Sequence, residues 1–149
     1  MANLIPPPVV GEDEESFLGD PPHQRRVIRR KFKFPHGVEQ WILWGGRRTP
    51  AVIFPVTKKG KVVALRQFRP APNDFLIELP GGNPVSIEKS EETAKQELME
   101  ETGFTAGKFQ VIGSETWFDP ASCFTPYVPV LATGCYKAGE PKPDKTEVF

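Results

Sequence analysis

Several stretches of the chain read as strands, from alternating apolar and polar side chains or from β-branched runs, and one stretch reads as a helix. "RRVIRRKFKFP" sets Val27, Phe32 and Phe34 among cations, with Phe32 and Phe34 alternating against lysines, and this predicts a strand. "HGVEQWILWGG" predicts a second after a turn at His36-Gly37. Ala51 to Val56 and Lys61 to Phe68 are rich in β-branched residues, which predicts a hairpin closed by Lys58-Lys59-Gly60. "DFLIELP" is another strand, ending at Pro80-Gly81-Gly82. Beyond it the period lengthens. Ala94 and Leu98 stand four apart and are joined by Thr102, the spacing of a helical stripe. Ser90 is expected as its N-cap, Glu91 and Glu92 face the positive end of the dipole, and Gly103 is expected as the C′ stop. "FQVIGSETWF", "YVPVLATGCY" and "EVF" then predict three further strand pieces. Strands, one helix, strands is an α+β order and not an alternating βαβ one. Residues 1–22 show no period and combine prolines with an acidic cluster, so residues 1–24 are expected to be a surface or flexible arm and residues 25–149 the domain.

Composition narrows the class. A chain of 149 residues, 38% hydrophobic, is long enough for one domain with a real core. Nineteen cations balance nineteen anions, so no global field recruits nucleic acid or an anionic membrane. No apolar run reaches the roughly 18 residues of a membrane span, and no basic-then-apolar leader opens the chain, so a cytoplasmic location is expected. Cys123 and Cys135 do not form a CxxC pair and are expected as buried core residues. His23 and His36 suggest no metal site.

The helix carries the chemistry. Glu97, Glu100 and Glu101 are i, i+3 and i+4 neighbours on one face. Like charges at that spacing repel by tenths of a kcal/mol per pair. Either they form a solvated surface, or a cation offsets the repulsion. Mg²⁺ takes oxygen ligands and works with a few carboxylates plus substrate phosphates. Glu88 could fold back as a further acid, and the carbonyls of Gly81 and Gly82 are unobstructed by side chains.

From Gly82 the pattern Gly-x5-Glu-x7-(Arg)-Glu-Leu-x-Glu-Glu-x-Gly-Phe resembles the Nudix box, through Gly82, Glu88, Glu97, Leu98, Glu100, Glu101, Gly103 and Phe104. Gln96 stands where the box has Arg. "RQFRPAPNDFLIELPGG", residues 66–82, is similar to the segment before the box in ADP-ribose and nucleoside-diphosphate-sugar pyrophosphatases of that family, and the likeness extends from about residue 25 to 149.

The resemblance implies a Nudix-type α/β/α sandwich with a mixed sheet, plus an N-terminal antiparallel strand region. It implies Mg²⁺- or Mn²⁺-dependent attack of water on the pyrophosphate of a nucleoside diphosphate linked to another moiety. Glu97 and Glu101 are then the main metal ligands, with Glu100 a third and the Gly81 carbonyl a fourth. Arg69, and with it Arg66, would grip phosphate. Glu147 is the general-base candidate, Asp144 the second and Glu100 the fallback. Trp41 and Trp44 would hold the nucleobase, and strands 25–48 would lie at a homodimer interface. The family usually continues past the loop of Asp144 and Glu147 with a further strand and a closing helix, so the sequence is either a short form or truncated; were that helix absent, a dimer partner could cover the sheet face. Nucleoside triphosphate pyrophosphohydrolysis is the second enzymatic reading. A degenerate nucleotide-binding module, favoured by Gln96, is a reading of another class.

Overall fold

The computed structural model describes residues 5–21, 24–46, 48–83 and 87–142. The chain divides into two compact units, residues 1–47 with 117–126 and residues 48–116 with 127–149.

The first unit is built on a long hairpin. β1 (Glu14–Leu18), β2 (Arg25–Phe34) and β3 (Gly37–Gly45) form an antiparallel sheet in that order. Phe34 pairs with Gly37, so Pro35 and His36 make the turn, and the register sets Arg30 against Trp41 and Ile28 against Leu43. Period two therefore puts Phe32, Phe34, Trp41 and Leu43 on one face and Arg29, Lys31, Lys33, Ile42 and Trp44 on the other. Within residues 1–24, expected as a surface or flexible arm, Glu14–Leu18 form the strand β1, which the missing period gave no sign of. Its anchors are non-local. The Arg30 guanidinium donates to both oxygens of Asp13 at 2.9 and 2.6 Å, and Arg26 to both of Glu15 at 2.7 and 3.0 Å. The bond from Arg30 holds the Asp13 carboxyl below its ordinary value of 3.8. The 117–126 segment runs beside β3. Trp44 N–H donates to the Ser122 carbonyl and Phe124 N–H to the Trp44 carbonyl, each at 2.9 Å.

The second unit holds the core. β4 (Ala51–Thr57), β7 (Gly81–Gly82), β8 (Phe104–Thr105), β9 (Lys108–Val111) and β10 (Val128–Lys137) make a mixed sheet in the order β7-β4-β10-β8, with β9 also on β10. β4 and β10 are parallel, with Ile53 level with Val130. Helix α1 (Ser90–Thr102) covers one face. Its Ala94 and Leu98 are fully buried against Ala51, Ile53, Val128, Val130 and Ala132. Burying a side chain such as Leu98 contributes about 1.5–3 kcal/mol. On the opposite face Phe54 remains 44% exposed.

Two local expectations change. Ser90 is not the N-cap. A 3-10 turn at Ile87–Lys89 runs straight into the helix, Lys89 occupies the cap without a side-chain bond, and Ser90 is buried in the first turn. The turn after β4 forms, with Gly60 at φ 72° and Val62 bridging Val56, but the returning strand leaves β4. It becomes β5 (Leu65–Arg69), paired antiparallel with β6 (Asp74–Glu78) as a separate ribbon. Of the two cysteines, Cys135 is buried and Cys123 only partly so. The "EVF" strand lies outside the described residues.

Gly103 closes α1 as expected. Its φ of 70° is the left-handed conformation that a Cβ disfavours, and its N–H donates to the Met99 carbonyl at 2.9 Å. Lys137 supplies a cation at the same terminus, donating to the Thr102 carbonyl at 3.3 Å.

Candidate active site

The ribbon β5–β6 runs through Pro80 into β7, and β7 lies along α1. Pro80 is fully buried and its carbonyl accepts Ile53 N–H at 2.9 Å, which fixes the turn to the central strand β4. Gly81 approaches β4 so closely that a Cβ there would overlap the Ala51 carbonyl oxygen. At Gly82 a Cβ would overlap the Glu97 carboxylate. The second glycine is therefore what lets the helix carboxylate reach the turn. A methyl group at residue 82 would displace Glu97 and leave the backbone in place.

Glu101, one turn further along α1, is 7% exposed and accepts Gly81 N–H on Oε2 at 2.9 Å. A buried carboxylate needs such donors, because desolvating an unpaired charge is costly. Glu97 and Glu101 thus both meet β7, as their i, i+4 spacing requires. Glu100 is exposed on the flank. Gln96 Nε2 donates to its Oε1 at 3.0 Å, so the residue in the place of the box arginine keeps a hydrogen bond to a box glutamate but brings no positive charge to it. Lys142 N–H donates to the Glu100 carbonyl at 2.6 Å, bringing the chain back to the acidic face. Glu88 is exposed in the 3-10 turn. Glu147 and Asp144 lie outside the described residues.

Among the described residues no group of three or more His, Cys, Asp or Glu side chains is placed to hold a metal ion by itself. The donors here are two carboxylates converging on a backbone turn, with a third on the flank. They are all hard oxygens, a set that fits Mg²⁺ or Mn²⁺ sharing its remaining positions with phosphate and water.

The two candidate arginines part company. The β5–β6 register places Arg66 opposite Ile77 and Arg69 opposite Asp74, so their side chains leave the ribbon on opposite faces. Arg66 lies over the Phe75 ring, 5.2 Å from its centroid. Arg69 donates from Nε to both oxygens of Glu78 at 2.9 Å, and from Nη2 to Oε2. Trp41 and Trp44 are separated in the same way, on opposite faces of β3 and 39% and 43% exposed. Trp41 lines a cleft of about 600 Å³ within the first unit, together with Phe32, Phe34, Leu43, Trp117 and Phe124. Phe32 and Phe34 were signalled by their period-two spacing. The contribution of Phe124 depends on the pairing of residues 122–124 with Trp44, and that of Glu78 on a diagonal contact; neither has a local signal.

The family model described as NUDIX domain matches residues 46–149. The chain belongs to the Nudix family. A curated relative, "ADP-ribose pyrophosphatase" of Bacillus subtilis (strain 168), is 40% identical over 60 residues, 40% of this chain and 32% of the relative. The Nudix chain thus spans about a third of the length of that relative. A solved structure titled "Crystal structure of ADP compounds hydrolase" superposes with a TM-score of 0.69 at 16% identity, over 99% of this chain and 80% of the other. At that identity the likeness speaks to the fold, and it bears out the expected Nudix architecture with its N-terminal antiparallel strands. Among the described residues no helix is long and apolar enough to cross a membrane.

Proposed function

We propose that this Nudix chain hydrolyses a nucleoside diphosphate linked to another moiety, ADP-ribose or a nucleotide sugar, at its pyrophosphate. The observation that carries this reading is the junction of α1 with β7, where Glu97 packs against Gly82 and Glu101 binds Gly81. The likeness to an ADP-ribose pyrophosphatase and to an ADP compounds hydrolase supports the substrate class.

Glu97 and Glu101, with Glu100 and the Gly81 carbonyl, would hold Mg²⁺ or Mn²⁺. When bound, that ion supplies charge neutralisation between the acidic helix and the anionic substrate. Arg69 orients the diphosphate, with Arg66 outside it on the other face of the ribbon. Water attacks one phosphorus as the bond from that phosphorus to the bridging oxygen breaks, giving two phosphomonoesters. Glu147 takes the proton of the water. Trp41, in its aromatic cleft, and Trp44 offer flat faces to a nucleobase. The exposed apolar side chains of β3 support a homodimer through residues 25–48, in the cytoplasm where such nucleotides occur.

The test is a panel of ADP-ribose, nucleotide sugars, dinucleotides and nucleoside triphosphates with Mg²⁺, measuring phosphate released by a coupled phosphatase. Turnover of a diphosphate-linked compound that disappears in Glu101→Gln is the expected result. Preference for triphosphates would replace this reading with the triphosphate pyrophosphohydrolase one. The uncharged donor that Gln96 offers Glu100 favours a further reading, a binding module, which tight nucleotide binding without turnover would establish.

A further inference from the structure

The acids of α1 sit where a helix tolerates them least. Glu91 and Glu92 are in the first turn, at the positive end of the dipole, but Glu100 and Glu101 lie in the last turn, at its negative end, and that turn contains no basic residue. Repulsion among Glu97, Glu100 and Glu101 adds to the cost. The final turn of a helix also leaves carbonyls without intrahelical donors, and helix ends are the first parts to fray. Here donors come from outside the helix, from the end of β10 and the chain that follows it. The Glu100 carbonyl accepts Lys142 N–H at 2.6 Å, and the Thr102 carbonyl accepts the Lys137 ammonium at 3.3 Å. Just past the helix, the Gly103 carbonyl accepts Ala138 N–H at 2.9 Å and Gly139 N–H at 3.0 Å. A Cβ on Gly103 would overlap the Gly139 carbonyl oxygen, so the missing side chain is what lets this segment lie on the helix end. Lys137 brings the cation that the last turn lacks. It stands opposite Phe104 in the pairing of β10 with β8, with its ammonium 5.7 Å from the centroid of that ring.

We propose that residues 137–142 are a strap that holds the last turn of α1 in helical geometry, and that the Lys142 amide and the Lys137 ammonium are thereby positioning groups for Glu100 and Glu101 as ligands of a divalent cation. This rests on the metal reading above. The two groups act through the helix backbone, not on the ion. A frayed last turn cannot offer both carboxylates together, and apparent affinity falls with the fraction of molecules in which the turn is formed.

The experiment combines Mn²⁺ titration, read from the paramagnetic resonance signal of the free ion, with hydrogen exchange of α1 in the absence of metal. Lys142→Pro removes the amide donor, whereas Lys142→Ala removes the same charge and keeps the donor. Lys142→Pro is expected to lower the protection of the amides of residues 100–103 and to weaken Mn²⁺ about fivefold, with the amides around Ala94 unchanged. Lys142→Ala leaves both as in wild type. Lys137→Met acts in the same direction by about threefold, and Lys137→Arg, which keeps a cationic donor, restores wild-type binding. Equal weakening by Lys142→Ala and Lys142→Pro would overturn the proposal by assigning the effect to charge. Lost protection with unchanged Mn²⁺ binding would overturn the positioning role and leave the strap as structure alone. Protection unchanged in both Lys142→Pro and Lys137→Met would overturn the strap itself. Each of these results leaves the metal reading standing, whereas a wild type that binds no Mn²⁺ would overturn that reading and this inference with it.

Discussion

The two units are stabilised in opposite ways. In the second, β4, β10 and α1 bury Ala51, Ile53, Ala94, Leu98, Val128, Val130 and Ala132 almost completely. In the first, Ile28 is the one hydrophobic side chain among the described residues in the buried class, and the sheet relies on its ladder, two bidentate ion pairs and half-exposed aromatics. The proposed metal chemistry is on the well-packed unit, and the aromatic cleft proposed for the nucleobase is on the loosely packed one. Ligands for a cation need placement to a fraction of an ångström, which a close-packed core can supply. A stacking surface tolerates adjustment, and an apolar sheet with little core of its own is suited to being completed by a ligand or a partner.

The sharpest way to break this contrast is to damage each unit once. Leu98→Ala should cost about 2–5 kcal/mol in urea unfolding, because it empties a fully buried position. Trp41→Ala should cost about 1 kcal/mol or less in the same measurement, yet weaken nucleotide binding by about 1–3 kcal/mol. Equal stability losses would show that the first unit has a core that its exposure does not reveal. A smaller effect is expected at Gln96. Gln96→Arg adds a positive charge to the donor side of the contact with Glu100 and should leave turnover equal or up to about tenfold higher. A large loss would mean that the neutral amide has a positive role. Smallest is the acid response of β1. The Asp13 carboxyl is held below 3.8 when folded, so its contribution is present above that pH and fades as pH falls through the lowered folded value. The protection of β1 amides, taken relative to the intrinsic exchange rate at each pH, should fall on acidification below about pH 4, and Asp13→Asn should show lower protection at neutral pH with that acid step reduced.

What could be read from the chain follows the range of the interactions involved. Ala94, Leu98 and Gly103 were legible because helical stripes and stops are local, and the alignment of Glu97 with Glu101 needed only the helical period. The start of α1 was misplaced because Ser90 has the chemistry of a cap, whereas the 3-10 turn before it is decided by packing. β1 was missed because "GEDEES" has no period. What makes it a strand is its pairing with Arg26 and Arg30, more than ten residues away. The partner of β5 was misassigned for a related reason. A β-branched run shows that a strand forms but not which edge it meets, and β4 already has β10 and β7 on its two sides. Arg66 and Arg69 looked alike in the sequence, but an odd spacing on a strand sends them to opposite faces, and one of the two is tied to Glu78.

The central claim is that the acids of α1 meet β7 in order to hold a divalent ion against a diphosphate. Its most direct test is calorimetric titration of Mg²⁺ and Mn²⁺, with ADP present, into wild type and into a Glu97→Gln, Glu101→Gln double variant that remains folded. Saturable uptake by wild type that is lost in the variant is the predicted result. Equal uptake by both proteins, or none by either, would contradict it.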